Sequence, residues 1–415
     1  MRVLVVGGGG REHAICLALS QSAHVQKLYC APGNGGISKV AECVDISATD
    51  IHNMVCFAKE NVDFVMVAPD DPLALGMVDA LEAEGVRAFG PHKAAAQLES
   101  SKAFAKGIMD KYGIPTAQYR EFSDFDVAKA YIHEKGAPIV VKADGLALGK
   151  GVVVASTIEE AVDAAHTMML DKKFGDSGNR IIIEECMTGP EVTILAFTDG
   201  KTIVPMLSSQ DHKKAFTGDL GPNTGGMGAF CPSPLYTPDI ARECMTKIFR
   251  PTIDAMNSEG IPFKGVIYFG LMLTPNGPRV IEYNARFGDP ETQAILSMLK
   301  TDLFEIFDAV IDERLDHVDI SWADGYACCV VIASGGYPEK YETGFEVSGL
   351  DMIPDDIIAF HAGTRLSDDV ILTNGGRVLG ITARGSSLEQ AARRAYDGVD
   401  CVRFKDAYFR TDIGK

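Results

Sequence analysis

The chain has 415 residues, 46% of them hydrophobic, with 39 Lys and Arg against 57 Asp and Glu for a formal net charge of −18. That length allows about two to four domains with a sizeable core, and the acid excess disfavours nucleic acid and anionic membrane as partners, so any phosphate substrate needs a locally basic pocket. No apolar run approaches the roughly 18 residues of a membrane span and no signal peptide is expected; ten cysteines without a C-x-x-C pair point to reduced, mostly buried thiols in a cytoplasmic protein, not to zinc or a disulfide framework.

Residues 2–6 are a short apolar run that predicts a buried strand, followed by Gly7 to Gly10 and a helix over 11–19. Further strands at 26–30 and 63–68, with turn signals at 32–35 and 69–72, imply βαβ units and a parallel sheet. The first domain is placed at residues 1–99. The loop from Gly7 to Glu12 partly fits the dinucleotide fingerprint, but Glu12 stands where that fingerprint has glycine or alanine. A carboxylate there hinders helix–strand packing and repels a pyrophosphate, which argues against NAD. The loop can still offer backbone N–H groups to one phosphate; the alternative is a ligand-free turn.

Predicted strands at 138–142 and 151–155 flank Gly145-Leu-Ala-Leu-Gly149-Lys150-Gly151. Gly151 stands where a Walker A loop needs Ser or Thr, and strand rather than helix follows, so the loop reads as a flap folding over phosphates. Lys142, Lys150 and Lys102 supply charge to it, though any one lysine taken singly reads as a solvated surface residue. Ser156-x-x-Glu159 predicts a capping box for the next helix. A strand follows at 181–183, then a hairpin over 191–197 and 201–207 turning at Asp199-Gly200. The stretch from Ser209 to Lys214 and the glycine-dense run Gly221-Pro-Asn223-Thr224-Gly225-Gly226-Met-Gly228 read as a loop whose free backbone N–H groups can hold a carboxylate. His212 within it reads as a hydrogen-bonding residue, not an acid or base. Thr237 and Pro238 predict an N-cap and first helical residue.

A second hairpin is expected over 265–273 and 279–284. Its second strand carries Glu282 and Asn284, which the two-residue period of a strand puts on one face. Two hard oxygen donors suit Mg²⁺, which takes one or two protein ligands plus substrate phosphates. Arg286 follows on that side. Asp289 and Pro290 read as an N-cap and first helical residue, placing an anion-favouring helix start beside the pair. The last section, 321–415, is read as α+β, with strands near 326–333, 357–361 and 377–383, a hairpin signal at Asn374-Gly375, and a closing helix behind Ser386-x-x-Glu389. No G-x-S-x-G, H-E-x-x-H or paired cysteine–histidine nucleophile occurs.

Nine runs in order along the chain resemble the glycinamide ribonucleotide synthetases of the ATP-grasp superfamily: residues 9–14 (GGREHA), 31–34 (APGN), 141–147 (VKADGLA), 149–152 (GKGV), 209–213 (SQDHK), 221–229 (GPNTGGMGA), 286–293 (RFGDPETQ), 361–364 (HAGT) and 373–378 (TNGGRV). The resemblance implies a multidomain α/β and α+β fold: a Rossmann-like N-terminal domain, an ATP-grasp core over 100–320 with a lid at about 116–187, and a small α+β C-terminal domain over 321–415. It implies ligation of glycine to 5-phospho-β-D-ribosylamine, driven by ATP through a glycyl phosphate, in purine biosynthesis. Mg²⁺ or Mn²⁺ is the implied cofactor, and a monomer or weak homodimer the implied state.

Carried over by position, Glu282 and Asn284 match the family's metal ligands. Lys102, Lys142, Gly145, Gly149, Lys150 and Gly151 match its ATP phosphate site, Glu184, Glu185 and Met187 the adenine linker, and Glu191 the ribose carboxylate. Gly9, Gly10, Arg11, Asp211, Lys213, Asn223, Thr224, Gly225, Gly226 and Arg286 fall on the glycine–phosphoribosylamine side. Arg286, Asp289 and Lys142 are the expected catalytic residues. Ala68, Asp70, Leu148 and Tyr283 depart from the family pattern without removing an expected ligand.

Overall fold

The computed structural model describes residues 1–147 and 151–415; Leu148, Gly149 and Lys150 of the expected flap lie outside the described residues. The apolar run at the N-terminus is a strand, Arg2–Gly7, with Val3 to Val6 entirely buried. It is the middle of a five-stranded parallel sheet ordered Glu42–Cys43, Lys27–Pro32, Arg2–Gly7, Phe64–Val67, Arg87–Phe89. A strand covered on both faces has no polar side, which is why it reads as continuous hydrophobic sequence. The two faces of Arg2–Gly7 feed two different cores: Leu4 and Val6 pack with Ile194, Phe249 and Phe269, whereas Val3 and Val5 pack with Phe287, Phe304 and Phe307.

The second sheet is antiparallel, ordered Ile203–Pro205, Glu191–Thr198, Gly265–Thr274, Gly277–Asn284. Both expected hairpins are present. Asp199 closes the first by accepting the Lys201 and Thr202 amides. A third sheet, ordered Tyr119–Phe122, Ile181–Glu185, Ile139–Ala143, Val152–Ala155, carries two helices, Phe125–Lys135 and Ile158–Met169. This unit has a core of its own, built on Phe122, Ile132, Val141, Met168 and Ile183.

Several local expectations shift. The helix Ile158–Met169 is capped by Thr157, whose side chain accepts the Glu160 amide, while Glu160 takes the Ser156 amide. The last helix, Leu388–Val399, is capped by Ser387 with Gln390 answering Ser386. Both boxes sit one residue beyond the expected Ser156/Glu159 and Ser386/Glu389 because each sequence offers two overlapping matches, and the fold uses the one that aims the apolar positions inward. Asp289 is not an N-cap: the helix begins at Glu291 behind Pro290, leaving the Asp289 carboxylate free for side-chain partners. Asn374-Gly375 makes no hairpin. The strand Val370–Thr373 pairs back with Thr364–Ser367, and Arg377–Gly385 crosses to another sheet.

The glycine-dense stretch is also more ordered than a loop. Lys214–Phe216 and Leu220–Asn223 form a ribbon, and Gln210–Asp211 and Gly228–Cys231 join the C-terminal sheet, ordered Gln210–Asp211, Gly228–Cys231, Tyr326–Ala333, Arg377–Gly385, Ile357–His361. The C-terminal section thus completes its sheet with strands from the middle of the chain and draws residues 210–231 against the helix Glu291–Ser297. All ten cysteines are free. Among the described residues no helix is long and apolar enough to cross a membrane.

Candidate active site

Opposed residues of antiparallel strands share a face. The pairings Thr193–Gly270, Gly270–Glu282 and Tyr268–Asn284 therefore put Glu191, Thr193, Tyr268, Glu282 and Asn284 on one face of the second sheet, with the Tyr268 and Thr193 hydroxyls 2.9 Å apart. Tyr283 points the other way and meets Thr252. This face is the floor of a polar cleft. Lys213 reaches over it, Nζ 3.1 Å from Glu282 Oε1 and 3.8 Å from Glu191 Oε2. Chiefly through Lys213, and against the cost of burial, the Glu282 carboxyl is held down to about 2, so it is ionised throughout the physiological range.

Past the strand end, Arg286 Nη2 donates to Asn284 Oδ1 at 3.2 Å and pairs with Glu99 at 2.8 Å. Glu99 also accepts the Ala285 amide. Burial pushes the Glu99 carboxyl up to about 7, with Arg286 opposing. The Nε of Arg286 is buried with no hydrogen-bond partner among the described residues, a donor available to an anion.

One wall is cationic. Lys142 Nζ lies 2.8 Å from Glu184 and donates to the Ile281 carbonyl. Lys106 lies 3.1 Å from the same carboxylate and donates to Thr116; burial lowers it to about 8. Lys102 donates to the Gly145 carbonyl at the root of the flap. Asp144 beside it accepts from Ser101 and the Ala103 amide and pairs with Arg180, fastening the third sheet to the start of the helix Lys102–Lys111. Lys142 and Lys106 share one buried glutamate and Lys102 lies nearby, which gives this wall the local positive charge that a phosphate needs inside an acidic protein.

The opposite wall comes from three sections of chain. Arg377 donates to the carbonyls of Gly225 and Asp289, both at 2.7 Å, and faces the Asp289 carboxylate at 3.3 Å. Asp211 and Glu291 lie together here. Burial raises both carboxyls, and the Oδ1 of Asp211 has no partner among the described residues. Arg11 donates to the Phe287 carbonyl and pairs with Glu12.

Glu282 and Asn284 fit a hard divalent cation: two oxygens on one face, one of them ionised, with Lys142 and Lys102 near enough to act on Glu282. No group of three or more His, Cys, Asp or Glu residues that could hold a metal occurs among the described residues, so such an ion would draw its remaining ligands from substrate and water.

Residues 1–99, 100–292 and 327–415 match, respectively, the N domain, the ATP-grasp (A) domain and the C domain of phosphoribosylglycinamide synthetase. The chain belongs to this family. It is similar to the phosphoribosylamine–glycine ligases of Halalkalibacterium halodurans, 47% identical over 100% of this chain and 96% of that one, and of Caldanaerobacter subterraneus subsp. tengcongensis, 48% identical over 100% and 99%. The phosphoribosylamine–glycine ligase structure from Thermotoga maritima superposes with a TM-score of 0.86 at 31% identity, covering 99% of this chain and 100% of that one. A biotin carboxylase domain from Hydrogenobacter thermophilus superposes with a TM-score of 0.76 at 16% identity, over 98% and 91%, a likeness of fold alone. The fold is ATP-grasp, and the chain is a carbon–nitrogen ligase.

Within this synthetase fold, Glu282, Asn284, Lys213, Glu191, Lys142, Lys102 and Arg286 converge on the cleft. Glu184 turns its carboxylate to Lys142 and Lys106, while Glu185 turns outward to Arg279 and the Gln118 amide. Met187 follows in the segment between lid and floor. Two expectations of free amides are corrected. The Gly9 N–H is taken by Glu12. The Gly225 and Gly226 amides are taken by the Tyr337 hydroxyl and Thr224 Oγ1, and Thr224 itself folds back onto the Lys213 carbonyl. These glycines shape a wall; their amides are not open to a carboxylate. His212 is held through its amide and ring by the Gly228 carbonyl, a structural role as expected. Sequence reasoning passed over Glu99, Lys106, Glu291 and Arg377. The last two lie inside family-like runs that had been quoted, but Glu99 and Lys106 sit in ordinary helical sequence with nothing to mark them.

Proposed function

We propose that the cleft joins glycine to 5-phospho-β-D-ribosylamine in three named regions. The triphosphate of ATP lies along Lys102, Lys142 and the flap, its base by Glu184, Glu185 and Met187, and its ribose by Glu191. Glycine and phosphoribosylamine occupy the wall of Gly9, Gly10, Arg11, Asp211, Lys213, Asn223, Thr224, Gly225, Gly226, Arg286 and Asp289. The domain division 1–99, 100–320 with lid 116–187, and 321–415 belongs to the same reading.

The observation that carries it is the pairing of Glu282 and Asn284 on the sheet floor with the lysine wall facing them. Glu282 and Asn284 would hold Mg²⁺ or Mn²⁺, which when bound would supply positive charge against the phosphates. Lys142 and Arg286 spread the remaining charge as the glycine carboxylate attacks the γ-phosphorus and ADP departs. The amine of phosphoribosylamine then attacks the acyl carbon, and phosphate leaves. No protein nucleophile enters either step; catalysis is positioning and charge stabilisation. Water must be kept out while the acyl phosphate exists, which is work for the lid.

The test is ADP release with freshly made phosphoribosylamine. Release that requires both glycine and phosphoribosylamine, and ignores formate and bicarbonate, supports the reading. A protein stabilised by NADH and indifferent to Mg-ATP in a thermal-shift assay would overturn it.

A further inference from the structure

Gln293 projects from the helix Glu291–Ser297 and is only 2% exposed. Its Nε2 donates to Asp289 Oδ1 at 2.7 Å. Arg377, Arg11 and this hydrogen bond together outweigh burial and hold the Asp289 carboxyl below its usual range, so it is ionised and can only accept. The amide therefore cannot be turned over without setting oxygen against oxygen. That orientation leaves Gln293 Oε1 buried and without a hydrogen-bond partner among the described residues. A native fold rarely strands a buried acceptor unless something absent supplies the donor.

The surroundings say what kind of donor. A Cβ on Gly10 would stand 2.5 Å from Gln293 Nε2 and 3.6 Å from Ala362, and one on Gly380 would lie 3.9 Å from Gln293. The amide thus sits where the N-terminal glycine loop, the Asp289 segment and the C-terminal sheet converge. A side chain at Gly10 would press on the amide. The acceptors at this junction are Gln293 Oε1 and the Asp289 carboxylate, and Arg377 and Arg11 already act on the carboxylate. The unpartnered Gln293 Oε1 suits a ligand presenting an O–H or N–H group. The lysines that suit the triphosphate are on the other wall.

We propose that Gln293 is a binding residue for the aminosugar: its side-chain oxygen accepts a hydrogen bond from a hydroxyl or amine of phosphoribosylamine. The inference rests on the proposed ligase reaction and assigns one residue to its second substrate.

Two variants separate this role from a merely structural one. Gln293→Met keeps the length and loses both the acceptor and the bond to Asp289. Gln293→Asn keeps both the amide donor and the acceptor oxygen, drawn back by one methylene. Steady-state KM is measured for all three substrates, together with transfer of the activated glycine to hydroxylamine in place of phosphoribosylamine. Gln293→Met should raise the KM for phosphoribosylamine about tenfold or more, the scale of one lost hydrogen bond. The KM values for glycine and ATP and the hydroxylamine reaction should hold near wild type, and Gln293→Asn should recover part of the loss. An unchanged KM for phosphoribosylamine, a rise in the glycine KM instead, or equal damage in both variants would overturn the assignment. A wild-type enzyme with no phosphoribosylamine-dependent ADP release would instead overturn the ligase reading itself. If Gln293→Met does not show the wild-type Mg-ATP thermal shift, the comparison passes to Gln293→Asn against Gln293→Leu.

Discussion

The Lys142 ammonium lies 2.8 Å from the Glu184 carboxylate, and both side chains are about 95% or more out of water. Glu184 holds Lys106 as well, so one carboxylate restrains two buried cations. Removing one partner of a buried pair leaves the other charge uncompensated and typically costs about 3–5 kcal/mol. Glu184→Gln should lower the unfolding free energy from urea curves by that order. Mg-ATP, whose phosphates supply negative charge to the same lysines, should restore more stability to the variant than it adds to the wild type. Denaturant curves with and without the nucleotide check both halves.

Glu282→Gln keeps the size of the side chain and one acceptor oxygen and removes its charge. Turnover should fall at least about tenfold, roughly 1.4 kcal/mol of barrier, with the circular dichroism and melting profile preserved. Near-normal turnover would mean that the cation is held elsewhere.

Gly226 has φ +116, and an added Cβ would approach Pro290 Cδ to 2.5 Å and Asp211 Oδ1 to 2.7 Å. Backbone in this region costs about 1–3 kcal/mol for a residue with a side chain, and the neighbours are backbone-fixed wall. Gly226→Ala should displace Asp211 and Pro290. The expected outcome is a large loss of kcat/KM for glycine with an ATP affinity near wild type, read by initial rates and nucleotide titration.

His13 and His361 join the first helix to the C-terminal sheet: His13 Nδ1 accepts the His361 amide at 2.8 Å, which requires a neutral ring. Burial, with His361 and Lys39 adding to it, lowers His13 to about 3, and burial lowers His361 to about 4. Both folded values lie below the unfolded value near 6.5. Their stability contribution is therefore present above about pH 6.5 and is lost as the pH falls toward 4 and then 3. Between pH 6.5 and 5 the loss is about 2 kcal/mol per histidine. A melting series over that interval should show the decline, and His13→Gln should flatten it.

The alternation of a strand made Glu282 and Asn284 neighbours on one face before any tertiary information entered, and the floor of the cleft follows that reading. The flap lysine Lys142 was legible for the same reason, lying on a strand that enters a glycine loop. Cap positions were less secure, because Ser156-Thr157 and Ser386-Ser387 each offer two matches to one pattern. Asp289 misled more seriously: Asp-Pro before an apolar run reads as a helix start, yet here the carboxylate is claimed by Gln293 and Arg377.

By itself the sequence determined the periodic and local features: the parallel first sheet, the two hairpins, the pair of oxygen donors, and the ordered glycine-rich runs that match one ligase family. Only the tertiary structure decided which charges meet. Glu99 under Arg286, Lys106 beside Glu184, Arg377 clasping Gly225 and Asp289, and Gln293 against Gly10 join residues far apart in the chain. The physical reason is that backbone periodicity fixes the face a side chain shows, while its partner depends on how separate sheets pack. Ion pairs and buried amides carry no periodic signature.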